Sequence, residues 1–410
     1  MRILIALIIL SGIFSFKVEN NLQSYSAQLV FFIFSVGALG SYLIYQKNKW
    51  IGLLSGLFTI GFLRTYLFRD VELAGLYQET LIGVSIFLLY YVVRKMKVTE
   101  DILKWFLIPV GLNIVLILAQ KFDGNVLPYI PEKMIGFLGN PSVSSCFITL
   151  SIPIVLRYYP KCFPILLITS WFAQSRVPFI AMIISGMVYL YYTNKKYYRV
   201  TALAIGTVLM LFTLHCFMFG IKDTALGKSK IFGTYWYKER GSMIVGTLDG
   251  IMHNPILGWG IGSFEPIMKK IPEIDSYYCG AYFNEGDYST PHDITDLKSY
   301  MNHPHNEYIY GWWNVGIGYI ILVLCLMRNI SKRFTRKNVL PFSILVGGMV
   351  MGLGYFFAYP VWFFLILALG VYDNQEVVYA EEKRSKKDCK KGSKSCKTKD
   401  RNFVKGISYA

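Results

Sequence analysis

A chain of 410 residues that is 54% hydrophobic and only 16% charged, with a mean hydropathy of +0.41, is too apolar for an ordinary soluble fold, in which about a quarter of residues carry charge. A net charge of +17 would suggest nucleic acid as a partner of a soluble protein. Here Lys and Arg fall in short clusters between apolar runs and in the C-terminal tail, so membrane topology accounts for them and no nucleic-acid partner is expected.

In chain order the apolar runs lie near 2–16, 27–46, 50–68, 73–93, 105–119, 142–156, 162–174, 177–193, 200–221, 308–327, 339–358 and 361–372. A membrane-spanning helix needs about 20 apolar residues, and several runs are short, so ten to twelve spans are expected. The first run has no small-x-small cleavage site after Phe16 and reads as a retained helix rather than a signal peptide. The loops 47–49, 94–104, 157–161, 194–199 and 328–338 hold 16 Lys and Arg, whereas the alternate loops 17–26, 69–72, 120–141, 174–176 and 359–360 hold five. The positive-inside rule then places both termini in the cytoplasm.

The expected architecture is an all-α polytopic membrane protein with one large extracytoplasmic loop. Residues 1–221 carry the N-terminal helices, 222–306 the loop, 307–372 the C-terminal helices and 373–410 a basic cytoplasmic tail. The tail is poor in apolar residues and reads as disordered, either a topology anchor or a ligand for anionic lipid. Within the loop, "WYKERGSMIVGTLDGIMHNP" has helical spacing and a stop signal at Asn254-Pro255. "GWGIGSF" follows as a glycine-rich turn; no strand–helix unit surrounds it, so it is not a dinucleotide fingerprint. The seven cysteines form no CxxC pair, which weakens zinc and disulfide readings.

At the end of that loop, "NHPHNEYIYGWWNVGIGYI" (Asn302 to Ile320) runs from polar residues straight into an apolar helix. His305 and Asn306 therefore sit near a helix N-terminus, where exposed N–H groups favour anions. That field disfavours imidazolium and keeps His305 able to accept a proton. A polar cap is the alternative reading. Gly316 follows His305 by eleven residues, about three turns, and would let a neighbouring helix approach closely. Arg176, in "QSRVPF", and Arg240, in the loop helix, face the same side of the membrane. Guanidinium suits a diphosphate because its planar fork binds oxygens in pairs; for either Arg alone, snorkelling to the interface is the competing account. Arg64 and Glu79, inside apolar runs, read either as functional groups or as a structural pair. Glu285 and Asp287 are weak metal candidates, and no cofactor is expected.

These residues resemble the O-antigen ligase and polymerase superfamily of bacterial membrane glycan transferases. Its hallmark, a His-Asn pair, nine variable residues and a glycine, matches His305-Asn306, Glu307 to Val315, and Gly316. "GFLGNPSVSSCFITLSIPIVL", "SRVPFIAMIISG" and "ERGSMIVGTLDGIMHNPILGWGIGSF" resemble its remaining segments in order, so the likeness runs from about residue 119 to 325. A second family glycine, usually three residues after the first, is displaced here to Gly318, which alters the expected helix packing below the site.

The resemblance implies a helix bundle of the type C glycosyltransferase kind in the bacterial inner membrane. It implies a metal-independent, inverting transfer of a glycan from undecaprenyl diphosphate to an acceptor hydroxyl. His305 would be the general base, Arg176 and Arg240 would bind the diphosphate, and Asn306 would position His305 or cap the helix. A growing surface polysaccharide is the slightly favoured acceptor, making a polymerase; lipid A core would make a ligase. Membrane lipids, a chain-length regulator and a flippase are further candidate partners. A transporter of lipid-linked sugars is the reading from a different class.

Overall fold

The computed structural model describes residues 89–95, 98–122, 136, 141–173, 175–219, 235–259, 264, 304, 306–354 and 361–375. The expected spans before residue 88, the tail from 376, Arg64, Glu79, Glu285, Asp287 and His305 lie outside the described residues. Among the described residues every regular element is helical and no strand occurs. Helix α1 covers 89–95, and a 3-10 stretch, Glu100–Phe106, leads directly into α2, Leu107–Phe122. There follow α3 (Pro141–Tyr158), α4 (Phe163–Phe172), α5 (Arg176–Thr193), α6 (Lys195–Phe219) and α7 (Tyr235–His253). After the loop come α8 (Glu307–Val315), α9 (Ile317–Lys332), α10 (Val339–Gly352) and α11 (Val361–Gln375). Two stretches, Glu100–Phe122 and Arg176–Thr193, are long and apolar enough to cross a membrane.

The centre is a three-helix contact of α3, α5 and α10. Small and hydroxylated residues let these helices come close, as where van der Waals packing and interhelical hydrogen bonds hold helices together. Ser185 Oγ donates to the carbonyl of Ser343 at 2.7 Å, and Thr149 Oγ1 to that of Pro178 at 2.7 Å. A Cβ on Gly347 would stand 3.0 Å from that of Ser185. Beside this contact, Phe106 stacks on Phe364 with centroids 3.7 Å apart, and Phe147 packs at 5.9 and 5.8 Å from the two. All three rings are fully or almost fully buried, so the 3-10 stretch, α3 and α11 share one core.

The basic loops 94–104, 157–161 and 328–338 meet at one end of this core. Arg157 pairs with Glu100, whose other oxygen accepts from Gln375 Nε2 at 2.9 Å. Tyr90 donates to Asp373, which also pairs with Arg333 at 3.1 Å. Asn374 Nδ2 donates to the carbonyls of Val93 at 2.8 Å and Val98 at 3.2 Å. Asp373 and Asn374 are buried, so the last helix reaches Gln375 and does not stop at Tyr372 as the loss of apolar residues predicted. The side chains there are polar because they close a clasp across α1, α9 and α11. Breaking a buried pair by deleting one partner is costly. Asp373→Ala is therefore expected to lower unfolding free energy by about 3 kcal/mol and Tyr90→Phe by about 1 kcal/mol, read by thermal unfolding in detergent.

The apolar run 308–327 is the main departure from expectation. It is not one helix: Gly316, at φ +78°, ends α8 and starts α9. Hydropathy does not see this break because both sides of it are equally apolar.

Candidate functional site

Of the residues singled out in the sequence, Arg176 and Asn306 lie at the end of the core opposite the basic clasp. Asn306 is the N-cap of α8, with extended backbone and a side-chain oxygen accepting from the N–H groups of Tyr308 and Ile309, both at 3.0 Å. This is capping chemistry, satisfying two of the four donors a helix start leaves open. The same amide turns outward with its nitrogen and donates to the carbonyl of Leu353 at 2.8 Å, just past the end of α10. Tyr308 Oη donates to the carbonyl of Met349, near the end of α10, at 2.7 Å.

Arg176 is the first residue of α5, following Ser175 at the N-cap. A Cβ on Gly354 would come 2.6 Å from Val177 Cγ2, so the α10 end turn sits between the start of α5 and the start of α8. Arg176 and Asn306 thus flank one turn, Leu353-Gly354. Two helix N-termini at this end present N–H groups and positive partial charge to the same region. The helix carrying Arg240, α7, packs along α8, and His305 immediately precedes the Asn306 cap in sequence.

The join between α7 and α8 is a backbone lock. After α7 the chain turns at Asn254-Pro255-Ile256-Leu257 and reaches Gly258 at φ +70°. An unbroken helix would bond the N–H of Ile317 to the carbonyl of Trp313. Here Ile317 N instead donates to the carbonyl of Pro255 at 3.0 Å, and the carbonyl of Trp313 accepts from Trp259 N at 2.7 Å. One helical bond is exchanged for two bonds to the turn, so the break at Gly316 leaves neither group unsatisfied. Trp312 Nε1 adds a third, to Pro255 O at 2.9 Å, while Asn254 Nδ2 closes the turn onto Gly258 O. A Cβ on Gly258 would lie 2.5 Å from Gly316 N and 2.6 Å from Trp313 O; one on Gly316 would lie 2.5 Å from the carbonyl carbon of Ile256. Both positions need glycine twice over, for the sign of φ and for space. Trp259 and Phe264 then pack on buried Trp313 at 5.8 and 5.1 Å.

This corrects the expected role of Gly316. It receives a turn, not a neighbouring helix. For Gly318, a Cβ meets nothing within 4 Å among the described residues, so none of the described helices packs on the displaced glycine.

Two features at this end escaped the sequence reading. Glu307, counted there among nine variable residues, is only 6% exposed and is hydrogen-bonded by the side chain of Tyr319. Tyr319 fits because a side chain on Gly311 would overlap its ring. A carboxylate in the first turn of an otherwise apolar helix was the available signal. The second is the backbone of Gly136, the first residue of the "GFLGNP" segment: at φ +59° it donates its N–H to Gln120 Oε1 at 3.0 Å and is packed against Asn113 of α2. Among the described residues no three His, Cys, Asp or Glu side chains gather into a metal-ligating group.

Because Asn306 both caps and bridges, its substitutions separate the two tasks. Asn306→Ala is expected to cost about 1–2 kcal/mol, and Asn306→Asp, which keeps the acceptor but loses the donor to Leu353, to fall between wild type and alanine in a thermal melt.

No family model, curated protein or solved structure matches this chain.

Proposed function

We propose that this protein is a polytopic inner-membrane glycan transferase of the O-antigen ligase and polymerase type, working on an undecaprenyl-diphosphate-linked glycan at the outer face. The observation that supports this reading best is convergence. The segments that carry Arg176, Arg240 and His305-Asn306 are far apart in sequence. The α10 end turn nevertheless brings together the starts of the helices that carry Arg176 and Asn306, opposite the basic clasp, and α7, which carries Arg240, packs along α8. An end with two helix N-termini and arginines on the incoming helices suits an anionic diphosphate.

In this reading His305 takes the proton of the acceptor hydroxyl as its oxygen forms the new bond to the anomeric carbon. The bond from that carbon to the diphosphate breaks on the opposite face, inverting the centre. Arg176 and Arg240 stabilise the charge that develops on the departing undecaprenyl diphosphate. Asn306 acts at one remove, by fixing where α8 begins.

Purified full-length protein given a polyprenyl-diphosphate oligosaccharide, with and without lipid A core, tests the proposal. A ladder of lengthened products identifies a polymerase, and one transfer onto the core identifies a ligase. Full turnover in both His305→Ala and Arg240→Ala would remove this site from consideration.

A further inference from the structure

Helix α7 belongs by sequence to the large polar loop, yet its packing is inverted for a helix in water. Its inward residues are mostly small: Gly246, Thr247 and Gly250 are buried, together with Ile251. Over the described residues 244–253, three large apolar residues point out: Val245 is 45% exposed, Leu248 36% and Met252 69%, at spacings of three and four. A water-soluble amphipathic helix does the opposite, hiding its large apolar face. Helices in lipid bury small residues against each other, because acyl chains solvate the large apolar ones as well as a protein core does.

The stripe does not end with the helix. Ile256 and Leu257 in the following turn are 71% and 77% exposed. Their backbone lies against Gly316, next to Val315, which is 51% exposed. Beyond Gly316, α9 is apolar over most of its length, yet Ile330 is its one buried residue; Ile321, Leu322 and Leu324 are each more than half exposed. The α7 stripe and turn therefore continue the exposed apolar surface of α9. Half-buried Asp249 and exposed His253 border the stripe on one side.

Depth follows from the lock. Gly316 comes nine residues after Glu307, a rise of about 14 Å along α8. The hydrocarbon half-thickness of a bilayer is about 15 Å. With the Asn306 cap at the outer interface, a turn seated on Gly316 lies well inside the outer leaflet.

We infer that the C-terminal half of α7 and the Asn254–Gly258 turn form a re-entrant element immersed in the outer leaflet, with Val245, Leu248, Met252, Ile256 and Leu257 in contact with acyl chains. The occupant is bulk bilayer lipid, since the surface is exposed and continuous with that of α9. The inference rests on the membrane reading above but not on the transferase reading. It places the connection between the loop and the helix bundle inside the lipid phase in which a polyprenyl donor is dissolved.

Depth-dependent fluorescence quenching tests it. The full-length protein, with its seven native cysteines replaced, carries a bimane label at Leu257→Cys, at Met252→Cys, at Val115→Cys on the exposed face of α2, or at Lys196→Cys in the exposed, basic first turn of α6. Each variant is placed in nanodiscs containing lipids with doxyl groups on the acyl chain, and iodide is titrated from the water phase. The expected result is doxyl quenching at 257 and 252 within twofold of that at 115, with iodide quenching only at 196. Iodide quenching without doxyl quenching at 257 and 252, while 115 stays lipid-quenched, overturns the immersion and leaves the membrane reading standing. Loss of doxyl quenching at 115 as well overturns both. A signal at 257 that is shielded from both quenchers, and changes on dilution with unlabelled protein before nanodisc assembly, overturns the lipid assignment in favour of a second copy.

Discussion

Gly316→Ala is expected to reduce glycan transfer by about 100-fold or more, on the scale that a misplacement of about 1 Å exacts from a positioned reaction. It is also expected to lower stability by about 2–4 kcal/mol. The added methyl has no room, since it meets the carbonyls of Ile256 and Leu257, and backbone cannot rotate aside as a flexible side chain does. The left-handed φ of +78° adds strain of about 1–2 kcal/mol for any L side chain. To relieve both, the turn must leave Trp313 and Ile317, and a helical bond between those two residues cannot reform without straightening α8 into α9. Gly318→Ala is the matched control two residues away. It lies inside α9 with nothing within 4 Å of its Cβ position among the described residues, so alanine there is expected to be neutral or stabilising by up to about 1 kcal/mol. Gly258→Ala should behave like Gly316→Ala, and the double variant should cost little more than either, because both break one lock. Transfer assays and melts on the four proteins check the set. Equal behaviour of Gly316→Ala and Gly318→Ala would show that the lock is immaterial.

His305→Gln is expected to slow transfer by about 10²–10⁴-fold, the usual contribution of a positioned general base, while leaving the melting temperature close to wild type. Arg176→Lys is expected to cost about 10²–10³-fold, comparable to losing one donor from a charge-stabilising site, because an ammonium keeps the charge but not the fork. The two losses should differ in kind. In the proposed reaction the histidine acts on the acceptor, so its loss should fall on the turnover number. Arg176 would hold the donor, so its loss should also raise the donor concentration needed for half-maximal rate. If Arg176→Lys changes neither parameter, Arg176 serves only as the first residue of its helix, and the diphosphate is held elsewhere. Steady-state measurements over a range of donor concentration make the distinction.

Much of the framework was legible in the sequence because hydropathy and charge are local and additive. The runs at 105–119, 142–156, 162–174, 177–193 and 361–372 each correspond to a helix, with boundaries shifted by a few residues. The loop helix ending at Asn254-Pro255 was readable from a stop signal that works through its own backbone. The alternation of basic loops was also legible, and Glu100, Arg157, Arg333 and Asp373 now meet at one end. What escaped was whatever depends on a partner from elsewhere in the chain. Asp373 and Asn374 read as the start of a polar tail because nothing nearby reveals Tyr90, Arg333 and the carbonyls of Val93 and Val98. Glu307 read as a variable position because its partner, Tyr319, lies beyond a helix break that hydropathy does not register.

By itself the sequence determined that helices form here, roughly where they begin and end, and which ends carry the positive charge. Those properties follow from side-chain composition along a few turns. Only the tertiary structure decided what Gly316 is for. A glycine in an apolar run is compatible with a helix contact, a kink or nothing at all. The choice was made by the Asn254–Gly258 turn, nearly 60 residues earlier, whose carbonyl and N–H groups take over the bond between Trp313 and Ile317. A backbone group must be satisfied somewhere, but its own neighbourhood in the sequence does not say where.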